Sequence, residues 1–422
     1  MTETIPPAAL AAVVGGLLAA AGVAAWIACG PPGSRTDPAT PGRLFVLAYA
    51  ILYAVGSVWI VATGESRGAG PLLTGGGLAA FALGALASRH LRGAAPARPV
   101  GLAAGRFRTS RVLALAVIGL IALLPIVLQW GIPFFADSVV TSRRGYAGPL
   151  FDLFRWLLPP AALVAVAVAL ARRRRSDLLV AAGVAGATVV LELALASRAL
   201  PAELGVTAFL LAWWSGWRVR PRTVIALGVA SVVAFAAVQV VRVATFRDFE
   251  TVEETVVFGV KRTVDRVVLI QPRTLEVLAT RIPGERPYAL GGTYLRWLSP
   301  LLGGEAEEPL GTWAYRQLFP QQDPPGFASP GLLGELWANW GPFALAGMFA
   351  FGIAAQRLGG LTASVGPAAE DAVFAAVVAV AFARAYATSL NGLLLSLAAI
   401  LAWRIVVTAP ERPPWLRFPR LR

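Results

Sequence analysis

Charge is what this sequence has least of. Of 422 residues, 14% are charged and 57% are hydrophobic, where an ordinary soluble domain carries about a quarter charged. That balance excludes a soluble globular fold. Cysteine occurs once, at Cys29, which excludes an intrachain disulfide and any cysteine metal site. Histidine also occurs once, at His90, inside a basic loop where it reads as a solvated residue. Lys261 is the only lysine, so the net charge of +14 is almost entirely arginine. There is no P-loop, no GxGxxG after a strand, no HExxH and no nucleophile elbow, which removes the common nucleotide, dinucleotide, zinc-protease and serine-hydrolase classes. The alternating pattern of an outer-membrane barrel is missing too. The N-terminus, "MTETIPPAALAAVV", has no basic n-region, so no cleaved signal peptide is expected.

What is present is apolar length. Runs of about 18 or more apolar residues recur along the chain, and backbone in lipid satisfies its hydrogen bonds as helix. The expectation is an all-α, polytopic membrane protein of about eleven spans. They lie near 8–29, 44–63, 71–88, 112–130, 150–171, 178–196, 200–217, 223–243, 340–357, 371–388 and 391–408. Three regions follow: an N-terminal bundle of about eight spans (1–243), an external segment (244–339), and C-terminal spans with a basic tail (340–422).

Orientation is read from the loops. "RHLRGAAPARPVGLAAGRFRTSR" (89–111) holds six arginines and no acid, and "RRRR" (172–175), "RVRPR" (218–222) and the tail "ERPPWLRFPRLR" are also basic. The positive-inside rule places these loops and the C-terminus in the cytoplasm and the N-terminus outside. Positive charge confined to such loops is a topology signal and leaves no case for nucleic-acid binding. The same topology puts "VTSRRGYAGPLFDLFRW" (140–156) at the outer face, against the rule. Arg143, Arg144, Arg155, Arg198, Arg242, Arg247 and Arg384, from five separate regions, then share one depth near the outer boundary. Each alone is explained by snorkelling to headgroups. As a set they suit an anionic pocket, because guanidinium groups grip phosphate oxygens in pairs and stay charged. Asp152 stands three residues before Arg155 and suits a pair with it on one helix face. Glu192, in "VVLELALAS", either partners one of these arginines or sits in a cavity.

Residues 244–330 hold eleven of the chain's twenty-three acids beside nine basic residues, which marks a folded external region. Val252, Val256, Val260, Val264 and Val267 recur three or four apart. They describe an amphipathic helix on the membrane or the bundle, broken at Pro272. A stretch rich in aromatics and proline follows, with Tyr288, Tyr294, Trp297, Trp313, Tyr315, Trp337 and Trp340. Such rings anchor at the interface or offer a surface for sugar C–H faces; Tyr294, Trp297 and Trp337 are the candidates for sugar binding.

Four pieces in order resemble the O-antigen polymerase, or oligosaccharide repeat-unit polymerase (Wzy-type), family. They are "GIPFFADSVVTSRRGYAGPL", "ELALASRALPAELGVTAFLLAW", "RPYALGGTYLRWLSPLLG" and "GFASPGLLGELWANWGPFALAGMFAFGI", and the resemblance covers roughly 44–405. It implies a GT-C-like membrane glycosyltransferase of the bacterial plasma membrane. Such an enzyme moves a glycan from an undecaprenyl-diphosphate donor to a lipid-linked acceptor on the outer side. Its implied partners are that donor and acceptor, membrane lipids, a chain-length regulator and a flippase. The diphosphate role carries over to Arg143, Arg144 and Arg198, and less directly to Arg242 and Arg247; Arg384 joins them by its depth. The donor is already activated, so no nucleotide, cofactor or metal is called for. An attacking hydroxyl needs a base; Glu335 in "GELWANWG" is the first candidate and Asp248 the second. The external segment has no histidine, a departure from relatives, including the related ligases, thought to use one there. An O-antigen-ligase-like transferase and a lipid-linked oligosaccharide flippase are the rival readings. The absence of two similar halves and the gathering of charge at one face weigh against a transporter.

Overall fold

The structure is a computed structural model. It describes residues 6–29, 40–66, 68–89, 109–136, 146, 148–195, 197, 199–215, 251–295, 308–322, 326–363 and 369–386, with scattered helical positions between 222 and 244 and at 401. Among these residues every regular element is helical. Among the described residues seven helices have the length and apolarity to cross a membrane: Pro7–Ala28 (α1), Pro41–Ala62 (α2), Ala69–Ala87 (α3), Thr109–Phe135, Pro149–Arg172 (α5), Arg175–Ala194 (α6) and Gly331–Gly359. The fourth is an α-helix over Thr109–Trp130 (α4) with a 3-10 turn at Pro133–Phe135. Two shorter apolar helices, Ala199–Trp214 (α7) and Ala369–Ala383, match the expected seventh and tenth spans. The expected spans at 223–243 and 391–408 fall almost wholly outside the described residues.

Local chemistry starts these helices where the sequence permits. Pro7, Pro41 and Pro149 occupy first helical positions, where the missing N–H costs nothing and φ is preset. Thr40 adds a side-chain cap, accepting the Arg43 N–H at 3.3 Å. In the external segment, Thr251 caps Val252–Val264 (α8) by accepting from the Glu254 N–H at 3.2 Å. Glu253 and Glu254 stand in its first turn and Lys261 and Arg262 in its last, a charge order that complements the helix dipole.

The segment departs from expectation at Pro272. Helix continues through it: α8 runs into a π turn at Asp265–Leu269 and then into Ile270–Arg281 (α9). Pro272 is the third residue of α9, among the leading positions of a helix whose N–H groups need no intrahelical partner. It sits tightly against Gly56 of α2. The valine stripe also lies elsewhere than on the bundle. Val252, Val256, Val260 and Val264 are exposed, and Thr255, Gly259 and Thr263 form the buried face.

The bundle packs as two groups. One joins α4, α5, α6 and α7 around Phe154, Leu158, Val164, Leu210 and Leu211. The other joins α1, α2, α3 and α9 with three later helices, Gly331–Trp340 (α12), Ala344–Ala363 (α13) and Ala369–Ala383 (α14). Two short helices complete the numbering, Gly292–Leu295 (α10) and Leu310–Leu318 (α11). In the second group Phe45 meets Phe81 at 4.8 Å and Phe351 at 5.2 Å, and Phe351 stacks on Phe382 at 4.0 Å. Helix α14 serves both groups, with Val373, Ala376 and Val380 in one and Phe382 in the other. Lipid is as apolar as these side chains, so association rests on close packing. Gly84 and Gly352 show how close: a Cβ on Gly84 would lie 1.9 Å from the Phe349 carbonyl oxygen, and one on Gly352 would lie 2.1 Å from that of Phe81.

The helices of the 251–295 segment are clamped to one end of this bundle. Arg273 on α9 meets Glu65 at 2.7 Å and Asp265 at 3.3 Å. The Glu276 carboxylate accepts the Gly70 N–H at 2.6 Å, where α3 begins and its dipole favours an anion. The 64–70 loop and the 251–295 segment therefore lie at one end of the bundle.

Candidate functional site

Helix α12 carries Glu335 and begins with a Pro330–Gly331 step after the external segment. Glu335 is buried, and its Oε1 accepts the Thr293 hydroxyl at 3.3 Å. One turn on, the Asn339 side chain ties the 289–295 loop to α12. Its amide donates to Thr293 Oγ1 at 2.6 Å and to the Glu335 carbonyl at 2.7 Å, and its oxygen accepts the Gly291 N–H at 3.0 Å. Gly291 has φ +91°, a left-handed conformation that glycine takes without strain. It turns the chain so that the Ala289 and Leu290 N–H groups reach the carbonyls of Ala338 and Asn339, at 3.0 and 3.1 Å. The 289–295 loop is thereby fixed over the end of α12.

Tyr294 follows in the same loop. Burial pushes its phenol up to about 12, and the nearby Glu335 carboxylate adds to the rise. The structure thus brings two sequence candidates, Glu335 and Tyr294, side by side. Trp337 points elsewhere: its indole N–H donates to the Leu278 carbonyl at 3.2 Å and it packs against the cluster that α12 shares with α9 and α11. Trp297 and Asp248 lie outside the described residues.

A second set of charges lies at the same end. Arg384 sits in a 3-10 turn, Arg384–Tyr386, that follows α14 and packs against α12. Its Nη1 meets Glu203 Oε2 at 2.9 Å. Arg155 Nη2 lies 3.9 Å from Glu192 Oε2, and the same guanidinium lies over the Phe151 ring at 4.7 Å. Glu203 is also within electrostatic reach of Arg155 and Glu192. Two arginines and two glutamates from α5, α6, α7 and the end of α14 therefore form one mixed-charge cluster. Glu192 is completely buried, and the Ser197 N–H closes the end of its helix on the Glu192 carbonyl at 2.7 Å.

Of the seven expected outer arginines, the cluster holds Arg155 and Arg384. Arg143, Arg144, Arg198, Arg242 and Arg247 lie outside the described residues. The expected Asp152–Arg155 pair is replaced by the cross-helix contact with Glu192. Glu203, Thr293 and Asn339 were not anticipated. An acid one turn into the apolar run "ALPAELGVTAFLLAW" was the available signal for Glu203. Among the described residues no group of three His, Cys, Asp or Glu side chains is placed to hold a metal ion.

No protein-family model, curated protein or solved structure matches the chain. The site's chemistry is therefore read from its own residues: guanidinium groups suited to an oxyanion, and a buried carboxylate beside a phenol and a hydroxyl.

Proposed function

We propose that the protein is a glycosyltransferase that polymerises lipid-linked oligosaccharide repeat units, with a polyprenyl-diphosphate-linked glycan as donor and a second lipid-linked glycan as acceptor. The full architecture in this reading is GT-C-like with eleven spans, and the end that carries the external segment faces outward from the bacterial plasma membrane. The observation that carries it is the placement of Arg155 and Arg384 at the end of the bundle where α12 presents Glu335.

The diphosphate binds to arginines, Arg155 and Arg384 at this end and, outside the described residues, Arg143, Arg144, Arg198, Arg242 and Arg247. The acceptor hydroxyl oxygen bonds to the anomeric carbon and its proton passes to the Glu335 carboxylate. The bond from that carbon to the diphosphate oxygen breaks, and the diphosphate leaves with the electron pair. Arginines aimed at the leaving oxygens stabilise the charge that develops there. Thr293 and Asn339 orient Glu335, and the 289–295 loop lies where the sugars approach, with Tyr294 and Trp297 as contacts.

The test is reconstitution in lipid nanodiscs with a synthetic undecaprenyl-diphosphate oligosaccharide, read by mass spectrometry. Wild type gives products longer by whole repeat units; Arg384→Ala and Glu335→Gln give none while remaining folded by size exclusion. Transfer of labelled lipid-linked sugar across sealed vesicles, with no lengthening, would replace the enzyme with a flippase.

A further inference from the structure

Two details of the mixed-charge cluster do not fit a pair of purely structural salt bridges. Arg155 makes no hydrogen bond among the described residues. Its contact with Glu192 spans 3.9 Å, beyond hydrogen-bond range, and its other neighbour is the Phe151 ring. Glu203 serves Arg384 through Oε2, while its Oε1 is buried with no hydrogen-bond partner among the described residues. A carboxylate and a guanidinium form their strong contact through two parallel bonds, and a buried acceptor left without a donor is unfavourable. Both arginine side chains stay partly accessible, at 43% and 38%. Neither contact is thus the two-bond pair, and both guanidinium groups remain within reach of a ligand.

Charge counting gives the exchange a direction. The four described groups, all ionised, sum to zero. A diphosphate diester adds two negative charges. Beside it, Glu192 and Glu203 become like charges in an apolar setting, where repulsion is far stronger than in water. The same four groups that neutralise one another would push a bound anion out.

We infer that Glu192 and Glu203 are internal competitors for Arg155 and Arg384: they neutralise the two arginines until a diphosphate displaces them, and they set how tightly the site holds that anion. This rests on the reading of these arginines as a diphosphate site. Glutamates so placed weaken product binding, which favours release of the polyprenyl diphosphate after each transfer. Glu203 is faced by Arg384 after α14, Arg155 on α5 and Glu192 on α6; Asp152, one turn before Arg155, is exposed.

The experiment is calorimetric titration of the full-length protein in nanodiscs, with undecaprenyl diphosphate in one arm and inorganic pyrophosphate in the other. Glu203→Gln keeps the side-chain shape and removes the competing charge. It is expected to tighten lipid diphosphate binding by about tenfold, the scale of a modest electrostatic term. Glu203→Asp keeps the charge but retracts it from Arg384, and it covers the case in which the Gln variant fails to fold; a gain of a few-fold is expected. Arg384→Gln is expected to weaken binding. Glutamate variants that bind the lipid no more tightly than wild type, or more weakly, overturn the inference and leave the diphosphate reading standing. Tightening seen with pyrophosphate alone keeps the competition and removes the lipid. If neither ligand binds wild type or variants, both the inference and the functional reading fall.

Discussion

Replacing Gly84 or Gly352 with alanine tests the packing that holds the site-bearing helices together. A Cβ on Gly84 would stand 1.9 Å from a backbone oxygen of α13, and one on Gly352 would stand 2.1 Å from a backbone oxygen of α3. Neither obstacle is a side chain that can rotate away, so the helices must part by about an ångström along the contact, in an interior with no slack. Overpacking of this kind costs about 1–3 kcal/mol, and the parted helices also lose dispersion contacts along their length. Each single variant is expected at the upper end of that range. The two glycines share one gap, so the double variant should cost less than the two singles together. Gly183→Ala and Gly186→Ala are the controls, because no heavy atom lies within 4 Å of either new Cβ. Those changes should stabilise α6 by up to about 1 kcal/mol through helix propensity. The assay is unfolding in mixed micelles titrated with SDS, followed by tryptophan fluorescence. A Gly84→Ala protein within about 0.5 kcal/mol of wild type, the range of neutral surface changes, would refute the close approach of α3 and α13.

Asn339→Ala removes contacts to Gly291, Thr293 and the Glu335 carbonyl and should cost about 3 kcal/mol, near 1 for each bond. Amides of 289–294 should then exchange faster, and unchanged protection there would show that Asn339 does not hold the loop. Acid should loosen the external helices. The hydrogen bond from Arg273 is the main reason the Glu65 carboxyl lies below its ordinary value of 4.5. A lowered folded value contributes stability that is complete above the ordinary value and is lost as pH falls through the folded one. Protection of α9, corrected for intrinsic exchange, should therefore fall below about pH 4.5 in wild type. Glu65→Gln should lose that dependence, and a retained dependence would reassign it.

Most of the helix positions were legible because a bilayer demands contiguous apolar length. Pro7–Ala28 and Pro149–Arg172 differ by a few residues at most from the expected 8–29 and 150–171. The π turn at Asp265–Leu269 was not legible: it leaves no compositional mark, and the rule that proline ends a helix assumes regular α geometry up to the proline. Glu335 and Arg384 stood out because charge is conspicuous at the edge of an apolar run. Their partners did not. Arg384 meets Glu203 across 181 residues of sequence and Asn339 meets Thr293 across 46, separations that no helical period expresses. Arg155 has a plausible acid one turn away, yet its nearest carboxylate is on the next helix, because the α5–α6 pairing and not the local spacing decides.

Helix α14 divides its length between two cores, and Arg384 follows directly at its end. Its middle is set among α5 and α7, while Phe382 is stacked flat on Phe351 of α13, with ring planes 4° apart. It works as a dowel between two blocks. A displacement of Arg384 is therefore expected to move α5 and α13 together, which a pair of spin labels on the two helices would read as a common displacement.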